Sequence, residues 1–159
     1  MIRAIAAIDD KRGIAAPGVP PWNIPWDIPE EKARYRQLIA HANILMGKNT
    51  YHSRVPRSDK RNIVASTTLE GVDAPFELIR DVDAFFQQNT EDLWIIGGAD
   101  MYASTLKYCD ELYITHVVGD FGCNRFFPGF ENFTLREKSP MHEQNGYKFY
   151  YAIYTKPVV

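Results

Sequence analysis

A chain of 159 residues, 45% hydrophobic and 24% charged, suits one globular domain, 1–159, with a sizeable core. Its formal net charge of −2 provides no global basic field for nucleic acid or an anionic membrane surface. No apolar run approaches a membrane span, and the first residues lack the layout of a secretory signal, so a cytoplasmic protein is expected.

Residues 2–8 form an apolar run rich in Ile and Ala, closed by Asp9, Asp10, Lys11 and Arg12, which reads as a buried strand. Residues 13–29 carry Gly13, Gly18 and prolines at 17, 20, 21, 25 and 29, and so read as a loop. Its tryptophans argue for a packed functional loop, because disordered segments are poor in aromatics. Within it a pattern of Trp, any residue, Ile, Pro, any residue, acid runs from Trp22 to Asp27 and again from Trp26 to Glu31. Two carboxylates, Asp27 and Glu31, thus compete for one post beside a helix start. Residues 29–41 read as that helix: Pro29 suits its first turn, and Glu30 and Glu31 suit the positive end of the macrodipole. Glu31, Tyr35, Leu38 and Ala42 would share a face.

Strands follow at 43–47, 62–66 and 76–79, then a short helix at 82–88. Residues 92–96 form a strong strand that stops at Gly97 and Gly98, and 99–106 reads as a helix. Residues 112–118 are another strand, and 133–135 with 147–155 read as a closing antiparallel pair. Helices alternating with strands, then strands to the end, predict an α/β fold with a mostly parallel sheet and an antiparallel edge. Such sheets bind ligands at the carboxyl ends of their strands.

The junctions at those ends carry the candidate chemistry. At Gly97 and Gly98 backbone without Cβ can approach a ligand, and the next helix offers N–H groups to a phosphate; a plain tight turn is the alternative. Gly47, Lys48, Asn49 and Thr50 combine a glycine, a cation and a hydroxyl, which suits a phosphate; a helix cap is the alternative. Ser66 and Thr67 add hydroxyls near the same edge, and Arg80 a positive charge. Tyr113 and Thr115 face one side of their strand, where Thr115 can hydrogen-bond a buried carboxylate. The histidines at 41, 52, 116 and 142 form no metal or nucleophile pattern, and Ser66 and Ser104 lack a GxSxG setting. Cys109 and Cys123 lack zinc spacing and read as reduced thiols.

Taken together, these pieces resemble dihydrofolate reductase. The match runs through Ile5, Ala6, Ala7; Gly13, Ile14, Ala15; Pro21, Trp22; and Ile28, Pro29, Glu30, Glu31. It continues through Met46 to Tyr51, Asn62 to Ser66, Ile95 to Ala99 with Tyr102, Leu112 to Thr115, and Phe127, Pro128. The resemblance implies a three-layer α/β/α fold with a mostly parallel central sheet and an antiparallel C-terminal edge strand. It implies reduction of 7,8-dihydrofolate to tetrahydrofolate, with NADPH delivering hydride to C6 and a proton reaching N5, for one-carbon metabolism. A monomer acting on a small-molecule substrate is expected. The related NADPH-dependent pyrimidine reductase of riboflavin biosynthesis and a catalytically inactive nucleotide-binding module are the alternatives.

The family's acid starts its first helix, a fixed stretch upstream of the Met-Gly motif and one turn before an aromatic. Glu31 meets both conditions, with Met46 downstream and Tyr35 one turn on, and Asp27 meets neither. The resemblance therefore assigns catalysis to Glu31, Trp22 and Thr115, with Trp26 a rival to Trp22 for the loop position. Substrate contacts fall to Ile5, Ala6, Glu31, Tyr35, Ile96, Tyr102 and Thr115. Ala7, Ile14, Gly47, Lys48, Asn49 and Thr50 match the cofactor groove. So do Ser66, Thr67, Ile96, Gly97, Gly98, Ala99, Asp100, Met101 and Tyr102. Lys48, Thr67 and Arg80 would select the 2′-phosphate of NADPH.

The pattern departs from the family at two places. Lys60 stands where the family keeps an Arg that forks the carboxylate of the substrate's glutamate tail, with Arg57 and Arg61 nearby as substitutes; Lys offers no planar fork. Asn124 and Arg125 replace an Asp-Thr pair that braces the cofactor-side loops.

Overall fold

The strand Ile2–Ile8 (β1) sits in the interior of the sheet, and its residues alternate between two cores. Ala4, Ala6 and Ile8 pack into one, whereas Ile5 packs into the other. A strand buried on both faces needs an unbroken apolar run, which is what this segment provides. The same alternation holds in Ile44–Gly47 (β3), Asn62–Ala65 (β4) and Leu93–Gly97 (β6). These are features of a computed structural model that describes residues 1–18, 23–53 and 56–157.

Further strands are Gly13–Ala15 (β2), Phe76–Ile79 (β5), Glu111–Val117 (β7), Arg125–Phe126 (β8), Thr134–Lys138 (β9), His142–Gln144 (β10) and Tyr147–Thr155 (β11). The main sheet runs β10-β11-β7-β1-β6-β3-β4-β5, with β9 also paired to β11. From β7 to β5 all pairs are parallel, whereas β11 is antiparallel to β7, β9 and β10. The mostly parallel sheet with an antiparallel C-terminal edge is thus present.

Helix Pro29–Ile39 (α1) lays Tyr35, Leu38 and Ile39 on one face of the sheet, over Ile5, Met46, Trp94 and Ile96. On the opposite face Val82–Gln88 (α3) and Ala99–Thr105 (α4) bring Phe85, Phe86, Met101 and Tyr102 against Ala4, Leu45, Ile95 and Ile114. Three layers result. A smaller core of Trp26, Ile28, Val117 and Phe149 seats the segment that leads into α1. The short helix Lys48–His52 (α2) follows β3 directly.

Most predicted elements stand within a residue or two of their expected bounds, and the differences have a common cause. Strands β2 and β8 pair with each other across more than a hundred residues, and β10 pairs with β11. All three are short and lack an alternating pattern, so only their partners make them strands. Strand β9 runs to Lys138 with every residue exposed, which leaves no apolar period to read. Helix α4 ends at Thr105 and tightens into a 3-10 turn over Leu106–Tyr108.

The β2–β8 ribbon is tied to the sheet by Asp9, which is 3% exposed. Its carboxylate accepts the N–H groups of Lys11 at 2.9 Å, Gly13 at 2.7 Å and Phe121 at 3.1 Å. Among the described residues no helix is long and apolar enough to cross a membrane.

Candidate active site

A cavity of about 790 Å³ opens at the carboxyl ends of β1, β3 and β6. That is the location and size of a small-molecule site in an open α/β sheet. Helix α1 supplies one wall with Glu31, Lys32, Tyr35 and Arg36, behind Ile28. Strands β1 and β6 contribute Ile5, Ala6, Ala7, Ile96 and Gly97. Gly47, Asn49, Thr50, Gly98, Ala99, Asp100, Met101 and Tyr102 line it from the starts of α2 and α4. The loop side carries Ile14, Ala16, Trp26, Asn124 and Arg125.

Glu31 keeps one edge open to the cavity, yet protein surrounds its carboxyl. Burial pushes that carboxyl up to about 7, against the opposing pull of Arg34, the Thr115 hydroxyl and Lys32. Thr115 is buried on β7 and donates to Glu31 Oε1 at 3.5 Å, the outer limit of a hydrogen bond. It stands behind the carboxylate and does not line the cavity. Asp27 lies outside the cavity lining, with its side chain 70% exposed and bound by Lys32 Nζ at 2.7 Å. The two acids of the repeated pattern therefore occupy opposite environments. Proline at the first turn of α1 starts the helix so that Glu31 faces inward.

Trp22 lies outside the described residues. Trp26 is 4% exposed, lines the cavity and meets Phe121 edge-on at 5.4 Å between ring centroids. The buried Tyr102 hydroxyl donates to the Ile5 carbonyl at 2.6 Å, which leaves that oxygen's second lone pair for a ligand.

The glycine pair forms bare wall. A Cβ on Gly98 would meet only Thr50 Oγ1, at 3.6 Å, and would otherwise point into open cavity. Gly97 has φ +127°, and a Cβ there would sit 3.3 Å from both Thr50 Oγ1 and the Tyr102 hydroxyl. Gly98 thus leaves room in the cavity that a flat ligand can use, which fits a nicotinamide dinucleotide, whereas Gly97 is needed for its positive φ and its close approach to Thr50 and Tyr102.

Lys48, Ser66, Thr67 and Arg80 do not line the cavity. Lys48, Ser66 and Arg80 gather instead at the carboxyl edge of β4 and β5. There Lys48 Nζ donates to Thr68 Oγ1 at 3.2 Å and Arg80 Nη1 to the Ser66 carbonyl at 3.1 Å. Thr68, which sequence reasoning passed over, carries the hydroxyl that meets Lys48.

The expected tail cations lie outside the cavity lining. Neither Lys60 nor Arg57 lines the cavity. Lys60 lines a separate hollow of about 270 Å³ with Arg3, His41 and Trp94. Arg61 forks Glu77 through two bonds of 2.9 Å and reaches Glu91 at 2.7 Å, so its charge is engaged on the outer surface. The cations that α1 presents to the cavity are Lys32 and Arg36. Their signal was available in the helix periodicity, because Arg36 follows Lys32 by one turn.

Asn124 and Arg125 brace the loops through backbone rather than a carboxylate: the Asn124 N–H donates to the Ala15 carbonyl at 2.9 Å, and Arg125 pairs with Ala15. Both cysteines are free, and burial pushes Cys109 up to about 12 and Cys123 up to about 11, so neither is a thiolate at neutral pH.

The dihydrofolate reductase family model matches residues 1–156. The chain belongs to the dihydrofolate reductase family. It is 31% identical to a dihydrofolate reductase of Drosophila melanogaster, over 96% of each chain. It is 30% identical to one of Staphylococcus haemolyticus and 26% identical to one of Bacillus subtilis, covering 98% of this chain and 95% of each relative. The acid, the glycine pair and the apolar wall of this cavity are thus set in a dihydrofolate reductase frame along nearly the whole chain.

Proposed function

We propose that the chain is an NADPH-dependent dihydrofolate reductase, an oxidoreductase that converts 7,8-dihydrofolate to tetrahydrofolate and works as a single-domain monomer. The observation that carries this reading is the Glu31 carboxyl, pushed up by burial to about 7 in a cavity that Gly47, Gly97 and Gly98 also line. NADPH, when bound, supplies the hydride that goes to C6 of the substrate. The protein supplies alignment, a dry pocket and control of charge.

Glu31 grips the amino-pyrimidine edge of the pterin by paired hydrogen bonds and favours protonation at N5 through water. Thr115 steadies the carboxylate from behind. Tyr35, with burial raising its hydroxyl, stays neutral and packs beside the pterin and benzoyl rings. Tyr102 fixes the Ile5 carbonyl, so one wall of the pterin site is rigid. Trp26 takes the loop position against the ligands.

The test is NADPH oxidation with dihydrofolate as acceptor and NADH as the control cofactor. Turnover with a strong preference for NADPH is expected, and Lys48→Ala or Arg80→Ala should raise the KM for NADPH about tenfold while leaving that for NADH unchanged. Binding of NADPH without turnover of dihydrofolate would sink the reductase reading and leave a nucleotide-binding module.

Arg36, with Lys32 beside it, takes the substrate's glutamate tail in place of Lys60. Arg36→Ala is expected to weaken dihydrofolate binding about tenfold while a tail-less dihydropterin binds as before, and Lys60→Ala should leave both unchanged. The reverse pattern would return the tail to Lys60.

A further inference from the structure

The charge next to Glu31 comes from a residue that no substrate contact explains. Arg34 lies on α1 three residues after Glu31, the spacing at which helical side chains are neighbours. It is half-buried and does not line the cavity. Its guanidinium lies 4.2 Å from the ring centroid of Tyr151 on β11 and 5.9 Å from that of Tyr113 on β7. Such stacking fixes an Arg without neutralising it. Among the described residues no carboxylate lies within ion-pair distance of Arg34.

The Tyr151 platform is itself anchored. Its hydroxyl donates to Glu30 Oε2 at 3.0 Å, the oxygen that His142 Nδ1 faces at 3.2 Å. Its ring meets Phe149 and His142 edge-on at 5.8 and 5.3 Å between centroids. A residue on the far end of the chain therefore sets where Arg34 points.

The groups acting on Glu31 come from every side. Lys32, Arg34 and Tyr35 share its helix, Thr115 rises from β7, Tyr151 from β11 and Tyr102 from α4. Burial raises the hydroxyls of Tyr35, Tyr102 and Tyr151, which keeps them uncharged at working pH, and Lys32 is shared with the exposed Asp27. Among the described residues, Arg34 is left as the cation whose field falls on the buried carboxyl without a competing carboxylate in ion-pair distance.

We propose that Arg34 is a positioning residue for the reaction: clamped on Tyr151 behind the catalytic acid, it is the counter-charge that decides when Glu31 gives up its proton. The proposal rests on Glu31 being the reaction's acid. It assigns to α1 a built-in limit on how alkaline the medium can become before Glu31 deprotonates. A cation near a carboxyl favours the charged form, so removing it keeps Glu31 protonated to higher pH.

The test is a carbon-13 NMR titration of the glutamate-labelled chain without ligands, with the Glu31 signal assigned by its loss in Glu31→Gln. In Arg34→Leu the Glu31 midpoint should rise by about one pH unit. In Arg34→Lys, which keeps a charge able to sit on the Tyr151 ring, it should stay near the wild-type value. Tyr151→Phe keeps the ring and loses the bond to Glu30, and it should leave the midpoint in place. The descending limb of the hydride-transfer rate should move the same way in Arg34→Leu, making that variant faster than wild type relative to its own plateau at high pH. Should Arg34→Leu fail to fold, Arg34→Gln carries the same comparison. An unmoved midpoint in Arg34→Leu, or an equal movement in Arg34→Lys, would overturn the proposal. The titration needs no substrate, so a chain that never turned over dihydrofolate would refute the reductase reading while leaving this result to stand or fall separately.

Discussion

Glu31→Gln is expected to lower the hydride-transfer rate by about 10²–10⁴-fold at pH 7 and to abolish its fall at higher pH. The reason is the carboxyl's position: it lines the cavity, and burial holds it near half-protonation at about 7. As pH rises through about 7 the wild-type acid loses the proton it would deliver, so its rate falls. A glutamine has no proton to lose, so a flat, slow profile remains. Asp27→Asn is expected to stay within about twofold of wild type, because Asp27 is an exposed partner of Lys32. Pre-steady-state hydride transfer across pH measures both. A slow Asp27→Asn beside a fast Glu31→Gln would mean that the wrong acid has been placed in the pocket.

The same substitution should stabilise the fold in alkaline solution. Glu31 binds its proton more tightly folded than unfolded, where its ordinary value is 4.5. Its contribution is therefore fully present below about 4.5 and is lost as pH rises through about 7. Over that window wild type loses about 3 kcal/mol that Glu31→Gln does not lose. Urea unfolding at pH 8 and at pH 4 should show a gap in favour of Glu31→Gln only at the higher pH. Activity and stability then trade against each other at one residue.

Gly13→Ala is expected to destabilise the chain by about 3 kcal/mol. An added Cβ would lie 2.4 Å from Cys123 Cβ, 2.6 Å from its Sγ and 2.9 Å from Asp9 Oδ1. None of these is the free end of a flexible side chain. Relief requires β2 to leave β8 or the Asp9 carboxylate to drop the N–H groups it accepts from Lys11 and Gly13. Both moves disturb Ile14 and Arg125 in the cavity wall, so a weaker hold on NADPH should accompany the lower Tm. Cys123→Gly removes the closest atoms and should recover most of the loss in the double variant. Additive effects in that cycle would show that the close approach is not the cause.

Much of the fold was legible because the central strands report themselves. Residues 2–8 and 92–96 are apolar without interruption, and only a strand covered on both faces needs that composition. Pro29 with Glu30 and Glu31 marks the start of α1, and the glycines that close β3 and β6 mark the strand ends where the cavity opens. Glu31 was set apart from Asp27 by the family resemblance, through its distance from Met46 and Tyr35 one turn on, and its place on the Tyr35 face of the helix agrees with that.

What the sequence by itself determined is the α/β class, the elements of the central sheet, the glycine junctions and which of the two acids faces the cavity. Each of these depends on neighbours within one or two turns of helix or a few residues of strand, so local composition carries it. Tertiary structure decided the rest. It put Trp26 in the cavity wall, drew Lys60 and Arg61 away from it, let Arg36 face it, and made strands of β2, β8 and β10. It also set Arg34 on the ring of Tyr151 and turned Asp9 into the tie between the β2–β8 ribbon and the sheet. Some of these contacts join residues more than a hundred positions apart, as Gly13 with Phe126 and Arg34 with Tyr151, and others join nearer segments that carry no pattern of their own, as β10 with β11. Closure of the sheet creates them, and no periodicity along the chain records which partners that closure will bring together.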